Sequence, residues 1–281
     1  MGYLRHIESC NRWTPADYRP FVLGGQPVGL VRQDVRRQLD GWSDLLRREA
    51  DGLALLAEPE DFTGRSRSLS ALTDRMVAAR LVPRRRGEDF AVAMRFADPP
   101  LAAIDRGALV ALGVRAYGVH VNGYVRTGAG IELWIGRRAR DKEVAPGQLD
   151  NLVAGGQPIG LTPLENVVKE AREEAGIAAG LAAQARPAGA LSYSMALPDG
   201  LRRDTLFVYD LELSTSFEPR NDDGEFEAFR RLPLAEVAKR VRDTDDFKFN
   251  VNLVIIDFLI RHGVLTPDEP DYLELVRGLH R

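Results

Sequence analysis

Apolar positions in the first part of the chain fall into short runs of helical period. From Gln33 to Glu49, the residues Val35, Leu39, Trp42, Leu45 and Leu46 recur at helical spacing, and Leu69 to Leu81 repeats the pattern. Each run predicts a helix with one face over a core. Leu101 to Leu112 is a third helix-like stretch, ending at Gly113, where glycine can adopt the left-handed conformation that closes a helix. The domain boundary is placed just after it. Residues 1–113 read as an accessory α+β domain and residues 114–281 as the main domain.

From Tyr117 the period changes from helix to strand. Val119 to Val125 forms one strand, and Ile131, Leu133 and Ile135 alternate with Glu132, Trp134 and Gly136 in the next, with Thr127 to Gly130 between them as a hairpin turn. Pro146-Gly147 breaks the chain. A loop rich in glycine, Asp150 to Gly160, then leads to a helix whose start is marked three times: Thr162 as N-cap, Pro163 in the first turn and Glu165 completing a capping box. That helix should run to Ala175 and stop at Gly176. Strands at Ala190 to Ser194, Thr205 to Leu213 and Glu225 to Phe229 follow, then helices at Leu234 to Arg242 and Val251 to Arg261. Strands and helices in mixed order predict an α/β or α+β sandwich.

Composition narrows the function more than the fold. The 281 residues are 44% hydrophobic and 28% charged, which fits globular domains rather than disorder. The net charge of −3, with basic and acidic residues interspersed, argues against nucleic acid as a partner. Cys10 is the sole cysteine, so an intrachain disulfide and a multi-cysteine metal site are excluded, and a reducing, cytoplasmic location is expected. No apolar run approaches the roughly 18 residues of a membrane span, so no membrane partner is expected. Arg84, Arg85 and Arg86 form a run that reads first as a solvated loop, with a phosphate site as the alternative.

The candidate chemistry concentrates on the Thr162–Ala175 helix. At about 100° per residue, Leu164, Val167, Val168, Ala171 and Ala175 are expected on a core arc, with Glu170, Glu173 and Glu174 on the opposite arc. Like charges three and four residues apart repel by about 0.2–0.5 kcal/mol per pair, and Glu173 and Glu174 also lie at the helix's negative end. A hard divalent cation would compensate, magnesium above all, since it takes a few carboxylates together with water and phosphate oxygens. The bland alternative is a solvated acidic face aided by Lys169 and Arg172. Gly155, Gly156 and Gly160 shift the balance, because they let backbone amides approach the helix closely enough for phosphate binding or tight loop packing.

These residues resemble the Nudix, or MutT-like, signature: Gly, five residues, Glu, seven residues, then Arg-Glu-aliphatic-any-Glu-Glu-any-Gly-aliphatic. Gly155, Glu170, Ala171, Glu173, Glu174, Gly176 and Ile177 are in register with it. Leu161 replaces the first glutamate and Lys169 the arginine. The resemblance implies a Nudix α/β/α sandwich with a mixed sheet, with Glu170, Glu173 and Glu174 as ligands to Mg2+ or, in its place, Mn2+. Gly118 to Tyr124, Pro146 to Gly156, Asn221 to Glu225 and Asp257 to Gly263 further resemble the thiamine-pyrophosphokinase-related Nudix subfamily, and residues 1–110 its N-terminal domain of unassigned chemistry. That likeness implies thiamine diphosphate, or an oxidised analogue cleaved to the monophosphate, as the small-molecule diphosphate substrate.

Glu225 is the candidate extra metal ligand or general base, with Asp223 and Glu227 as alternates. Arg137, Arg138 and Lys142 are candidates to bind substrate phosphate, together with Gly155 and Gly156; the three cations read equally as surface charge. Tyr117, Trp134 and Tyr193 could stack on a substrate ring, whereas His120 reads as structural and His262 as a helix cap. An isomerase on this fold would use an active-site cysteine, and Cys10 lies in the other domain. A non-catalytic metabolite sensor and a nucleoside-diphosphate-derivative pyrophosphatase are the alternatives, and a homodimer stays open.

Overall fold

The computed structural model describes residues 2–221 and 224–280. The first half contains α1 (Leu4–Cys10), β1 (Tyr18–Leu23), β2 (Gln26–Arg32), α2 (Gln33–Leu39), β3 (Leu46–Glu49), β4 (Gly52–Leu55), α3 (Phe62–Ala78), β5 (Asp89–Val92), β6 (Ala102–Asp105) and α4 (Leu109–Leu112). The second contains β7 (Arg115–Thr127), β8 (Gly130–Arg138), β9 (Leu149–Asp150), β10 (Val153–Gly156), α5 (Pro163–Ala175), α6 (Ala179–Ala182), β11 (Arg186–Leu197), β12 (Gly200–Glu212), β13 (Phe226–Pro233), α7 (Leu234–Asp243), α8 (Val251–Arg261) and α9 (Tyr272–Gly278).

Two of the helical expectations change. The run from Gln33 to Glu49 is helical only to Leu39; the chain then turns, and Leu46–Glu49 pairs antiparallel with β4. Trp42, Leu45 and Leu46 pack on the same core as Val35 and Leu39, so the apolar spacing reflects a shared destination rather than one helix. Leu101 to Leu112 likewise divides into β6, a 3-10 turn and the single helical turn α4, closed by Gly113 at φ 58°. A side chain at Gly113 would meet the Leu30 carbonyl at 2.0 Å, so packing as well as conformation requires glycine.

The N-terminal unit is built on a four-stranded sheet of order β2-β1-β4-β3, a β5-β6 ribbon and α3. Phe21, Leu53, Leu69, Leu72, Met76 and Ile104 fill its core. The C-terminal unit is organised by a mixed seven-stranded sheet of order β11-β12-β7-β8-β13, with β10 also on β7 and β9 on β8. One face packs under α5 through Val119, Val121, Val167, Ala171 and Leu211. The other packs under α7 and α8 through Leu206, Val208, Val237, Ile255 and Phe258. This is a mixed α/β sandwich.

The first helix crosses the boundary drawn from sequence. Tyr3, just before α1, and Ile7 and Cys10 within it are buried in the C-terminal core beside α8 and α9. Cys10 is therefore a core residue, its thiol pushed up to about 12 by burial. Among the described residues, no helix is long and apolar enough to cross a membrane.

The sheet forks where the site lies. From Tyr124 to Thr127, β7 pairs with β8. From Gly118 to Val121 its partner on that side is β10, while β8 has turned away to pair with β9 and β13. The fork brings the glycine loop to the middle of the sheet and leaves α5 directly above it.

Candidate active site

Helix α5 is fixed at both ends by its sequence. The Thr162 hydroxyl accepts from the Glu165 amide, the Glu165 carboxylate accepts from the Thr162 amide, and Pro163 starts the first turn. Gly176 closes the helix at φ 63°. Between these limits, Val167, Ala171 and Ala175 are buried, while Leu164, expected on the same arc, is 39% exposed.

The acidic arc does not oppose the core arc; it adjoins it. Glu174 follows Val167 by only about 20° around the helix, and both are buried, as is Glu170. Glu174 is 5% exposed and accepts from the Ala154 amide of β10 at 2.8 Å. Glu170 lies against the glycine loop, where a side chain at Gly155 would come within 2.3 Å of its carboxyl carbon. Gly155 is the cradle for Glu170. Glu173 faces outward, its side chain 49% exposed.

Burial raises the pKa of both inner carboxylates. For Glu174 the rise is large: desolvation outweighs the Ala154 amide, and the charges of Glu170, Asp150 and Glu225 add to it. For Glu170, burial again leads, opposed by Lys169 and reinforced by Glu173 and Glu88. Lys169 Nζ lies 2.9 Å from Glu170 and 2.8 Å from Glu173, and these carboxylates raise its pKa against the effect of burial. An ammonium thus already stands between two of the three glutamates. Among the described residues, no three metal-ligating side chains form a finished cage. The donor set nonetheless suits a hard cation: oxygen donors only, two of them desolvated, beside a loop without side chains.

Glu225, whose charge adds to the rise at Glu174, is held by Arg138 at 2.7 Å and Lys142 at 2.8 Å. Arg138 is a phosphate-binding candidate by sequence, but the fold uses its guanidinium internally. It is 7% exposed and bonds to Asp150 at 2.9 Å, to the Val144 carbonyl at 3.1 Å and to Glu225. Its part is to position Glu225. Asp150 is fully buried between Arg138 and Lys248; desolvation would raise its pKa, but Lys248, His120 and Arg138 together bring it down. Arg137 is exposed and donates to the Gly147 carbonyl.

The other candidates separate by burial. His120 is buried and pairs with Asn151 at 2.9 Å; desolvation first, then Lys248, lowers its pKa to about 4, so it is neutral and structural. His262 ends α8, its ring stacked on Phe258. Trp134 and Tyr193 are core residues, whereas Tyr117 is half-buried against Phe96 and Phe207. Glu227 accepts from the Arg140 amide on an exposed edge. Asp223 lies outside the described residues.

Sequence reasoning missed how the loop is supported. Leu161 cannot supply the carboxylate usual at its position, but Asn166 donates to the Gly156 carbonyl at 2.7 Å and Gln157 to the Leu161 carbonyl at 2.6 Å. The backbone carbonyl of Asp89, from the other unit, accepts from the Ile159 amide at 2.9 Å. Asn166, a polar residue among the apolar positions of α5, was the visible signal; nothing in the sequence pointed to Asp89. Two hollows lie away from this site, one beside Val22, Gly24 and Leu55, the other beside Tyr124, Arg186 and His262.

Residues 116–251 match the NUDIX domain model, and residues 2–116 match a domain of unknown function, DUF4743. The chain is 39% identical over 285 residues to Nudix hydrolase 24, chloroplastic, of Arabidopsis thaliana, covering 99% of this chain and 77% of that protein. It is 37% identical over 292 residues to Nudix hydrolase 20, chloroplastic, of the same plant, with the same coverage of each chain. A MutT protein from Methanosarcina mazei Go1 aligns in structure with 53% of this chain and 96% of its own, at 17% identity and a TM-score of 0.41. The matching domain model and the two plant relatives define a hydrolase domain. The chain belongs to the Nudix hydrolase family.

Proposed function

We propose that this protein hydrolyses a small-molecule diphosphate with the help of a divalent cation, Mg2+ or Mn2+, held by Glu170, Glu173 and Glu174. The observation that carries the reading is the pair of buried carboxylates on α5, Glu170 cradled by Gly155 and Glu174 accepting from the adjacent Ala154 amide. The bound cation supplies charge neutralisation at the phosphate oxygens and a stronger nucleophile from water.

The chain's own residues do the remainder. Arg138 and Lys142 fix the Glu225 carboxylate, which orients the attacking water and accepts its proton. The loop of Gly155 and Gly156 lets phosphate oxygens approach the backbone without a side chain intervening. Lys169 keeps Glu173 turned toward Glu170 until substrate and cation arrive.

For the organic half, we favour thiamine diphosphate or an oxidised analogue, on the subfamily likeness; nucleoside diphosphate derivatives are the second reading. Both carry an aromatic ring, and half-buried Tyr117, on the strand beside the glycine loop, offers a stacking surface. The expected cytoplasmic location belongs to the same proposal.

Incubation with Mg2+ and a panel of thiamine diphosphate, its oxidised forms, nucleoside diphosphates and dinucleotides tests the reading. Monophosphate release from a thiamine compound supports it in full. A preference for nucleotides overturns the thiamine part alone. Tight binding without release from any compound would make the protein a sensor.

A further inference from the structure

The N-terminal unit reaches the site from two sides. On one side, β5 and the turn after β6 meet the glycine loop. The Asp89 carbonyl accepts from the Ile159 amide, and Phe90 and Arg106 occupy the space beside Gly156, where an added Cβ would lie 2.6 Å from Phe90 Cζ and 3.3 Å from Arg106 Cζ. On the other, Arg84 pairs at 2.8 Å with Glu143, in the loop that carries Lys142, and Arg86 pairs with the same carboxylate. The two loops that border the carboxylates are thus both gripped by residues 84–106.

This arginine-bearing segment is prearranged. Asp105, 3% exposed, accepts from the amides of Arg86, Gly87 and Gly107 at 3.0, 2.9 and 2.8 Å, which fixes the backbone on either side. The run Arg84 to Arg86 is an exposed loop, as expected, from which Arg84 and Arg86 reach Glu143 of the other unit. Arg106 lies over the Phe90 ring, 5.8 Å from its centroid, and donates to Glu88 at 2.9 Å. Arg106 borders Gly156, the neighbour of the Gly155 that cradles Glu170, so the Arg106–Glu88 pair stands beside the glycine loop.

Charge and position together point to Arg106. A diphosphate brings negative charge into a cleft already lined with carboxylates, and several nearby cations of the C-terminal unit are held by those carboxylates: Arg138 and Lys142 by Glu225, Lys169 by Glu170 and Glu173. Arg137 is exposed as well but donates to the Gly147 carbonyl, whereas Arg106 stands beside Gly156 with a side chain 51% exposed and Glu88 as its ion-pair partner. An exposed ion pair is weak, whereas a guanidinium fork on a phosphate makes two charge-assisted hydrogen bonds. A phosphate can therefore compete with Glu88 for the Arg106 guanidinium.

We propose that the N-terminal unit is part of the active site and that Arg106 binds the substrate's diphosphate. This rests on reading the α5 carboxylates as the hydrolytic centre. The domain of unassigned chemistry then forms one wall of the cleft, with Arg84 and Arg86 holding the opposite loop through Glu143.

The test uses full-length protein and methylenediphosphonate, an uncleavable diphosphate, with Mg2+ in a calorimeter. Arg106→Ala is expected to weaken binding about tenfold or more, Arg106→Lys to recover part of the loss, and Arg48→Ala, on exposed β3, to leave it unchanged. With any diphosphate that is turned over, Arg106→Ala should raise KM more than it lowers kcat. Equal affinity of wild type and Arg106→Ala, with both folded by thermal melt, overturns the proposal, as does failure of the wild type to bind the probe. Binding that depends on Arg106 without any turnover would leave this inference standing and remove the hydrolase reading.

Discussion

Glu174 is a carboxylate in a solvent that does not suit its charge. Its folded pKa is raised by burial above the unfolded value of about 4.3. The folded state therefore binds the proton more tightly than the unfolded state, and metal-free protein loses stability as pH rises from that value through the raised one. Thermal melts in chelator should show this fall. Glu174→Gln keeps an oxygen to accept the Ala154 amide and removes the charge, so it should flatten the profile and raise the metal-free melting temperature at neutral pH. A profile unchanged by the substitution would mean that Glu174 is not the group responsible. Gly155→Ala tests the neighbouring cradle: with an added Cβ 2.3 Å from the Glu170 carboxyl carbon, the loop or the carboxylate must move. A cost of about 1–3 kcal/mol in denaturant unfolding, with loss of most turnover, is expected.

At the scale of elements, α5 was readable because its boundaries are local chemistry. Thr162, Pro163, Glu165 and Gly176 act within a turn of where they stand, and the helix begins and ends where they place it. Thr162→Ala should cost about 1 kcal/mol of stability, measured by denaturant titration, with little change in KM. The β7–β8 hairpin was readable for the same reason: alternation and a glycine turn. Gln33 to Glu49 misled because period alone cannot separate one helix from a helix, a turn and a strand that fill one core. The turn pair Asp40-Gly41 is the better guide, since it interrupts the run where α2 ends, and Asp51-Gly52 marks the turn from β3 to β4. Within the site, Glu170, Glu173 and Glu174 could be found by spacing, whereas their unequal burial could not. That depends on β10, which sets Ala154 and Gly155 beneath two of them.

For the whole molecule, the decisive contacts join residues far apart in sequence. Arg138 could not be recognised as a support for Glu225 without Asp150 and Lys248, which arrive from β9 and the approach to α8. Nor does any pattern in residues 84–106 announce that they meet the glycine loop. The two units are further tied by α1, whose Ile7 packs in the C-terminal core so closely that a side chain at Gly278 would come within 2.2 Å of it. Ile7→Ala should therefore destabilise the C-terminal unit, by about 2–5 kcal/mol. Hydrogen exchange would locate the loss in α8, α9 and β11; a loss confined to α1 would contradict the packing.

In the proposed mechanism, diphosphate cleavage depends on the α5 carboxylates holding the cation. Mg2+-dependent turnover of Glu173→Gln and Glu174→Gln with the best substrate of the panel, alongside thermal melts, probes that dependence without intermediates. At least about a hundredfold loss of kcat is expected, of the order seen when a charge-stabilising group is removed, with both variants folded. Near-wild-type turnover in folded Glu174→Gln would contradict it.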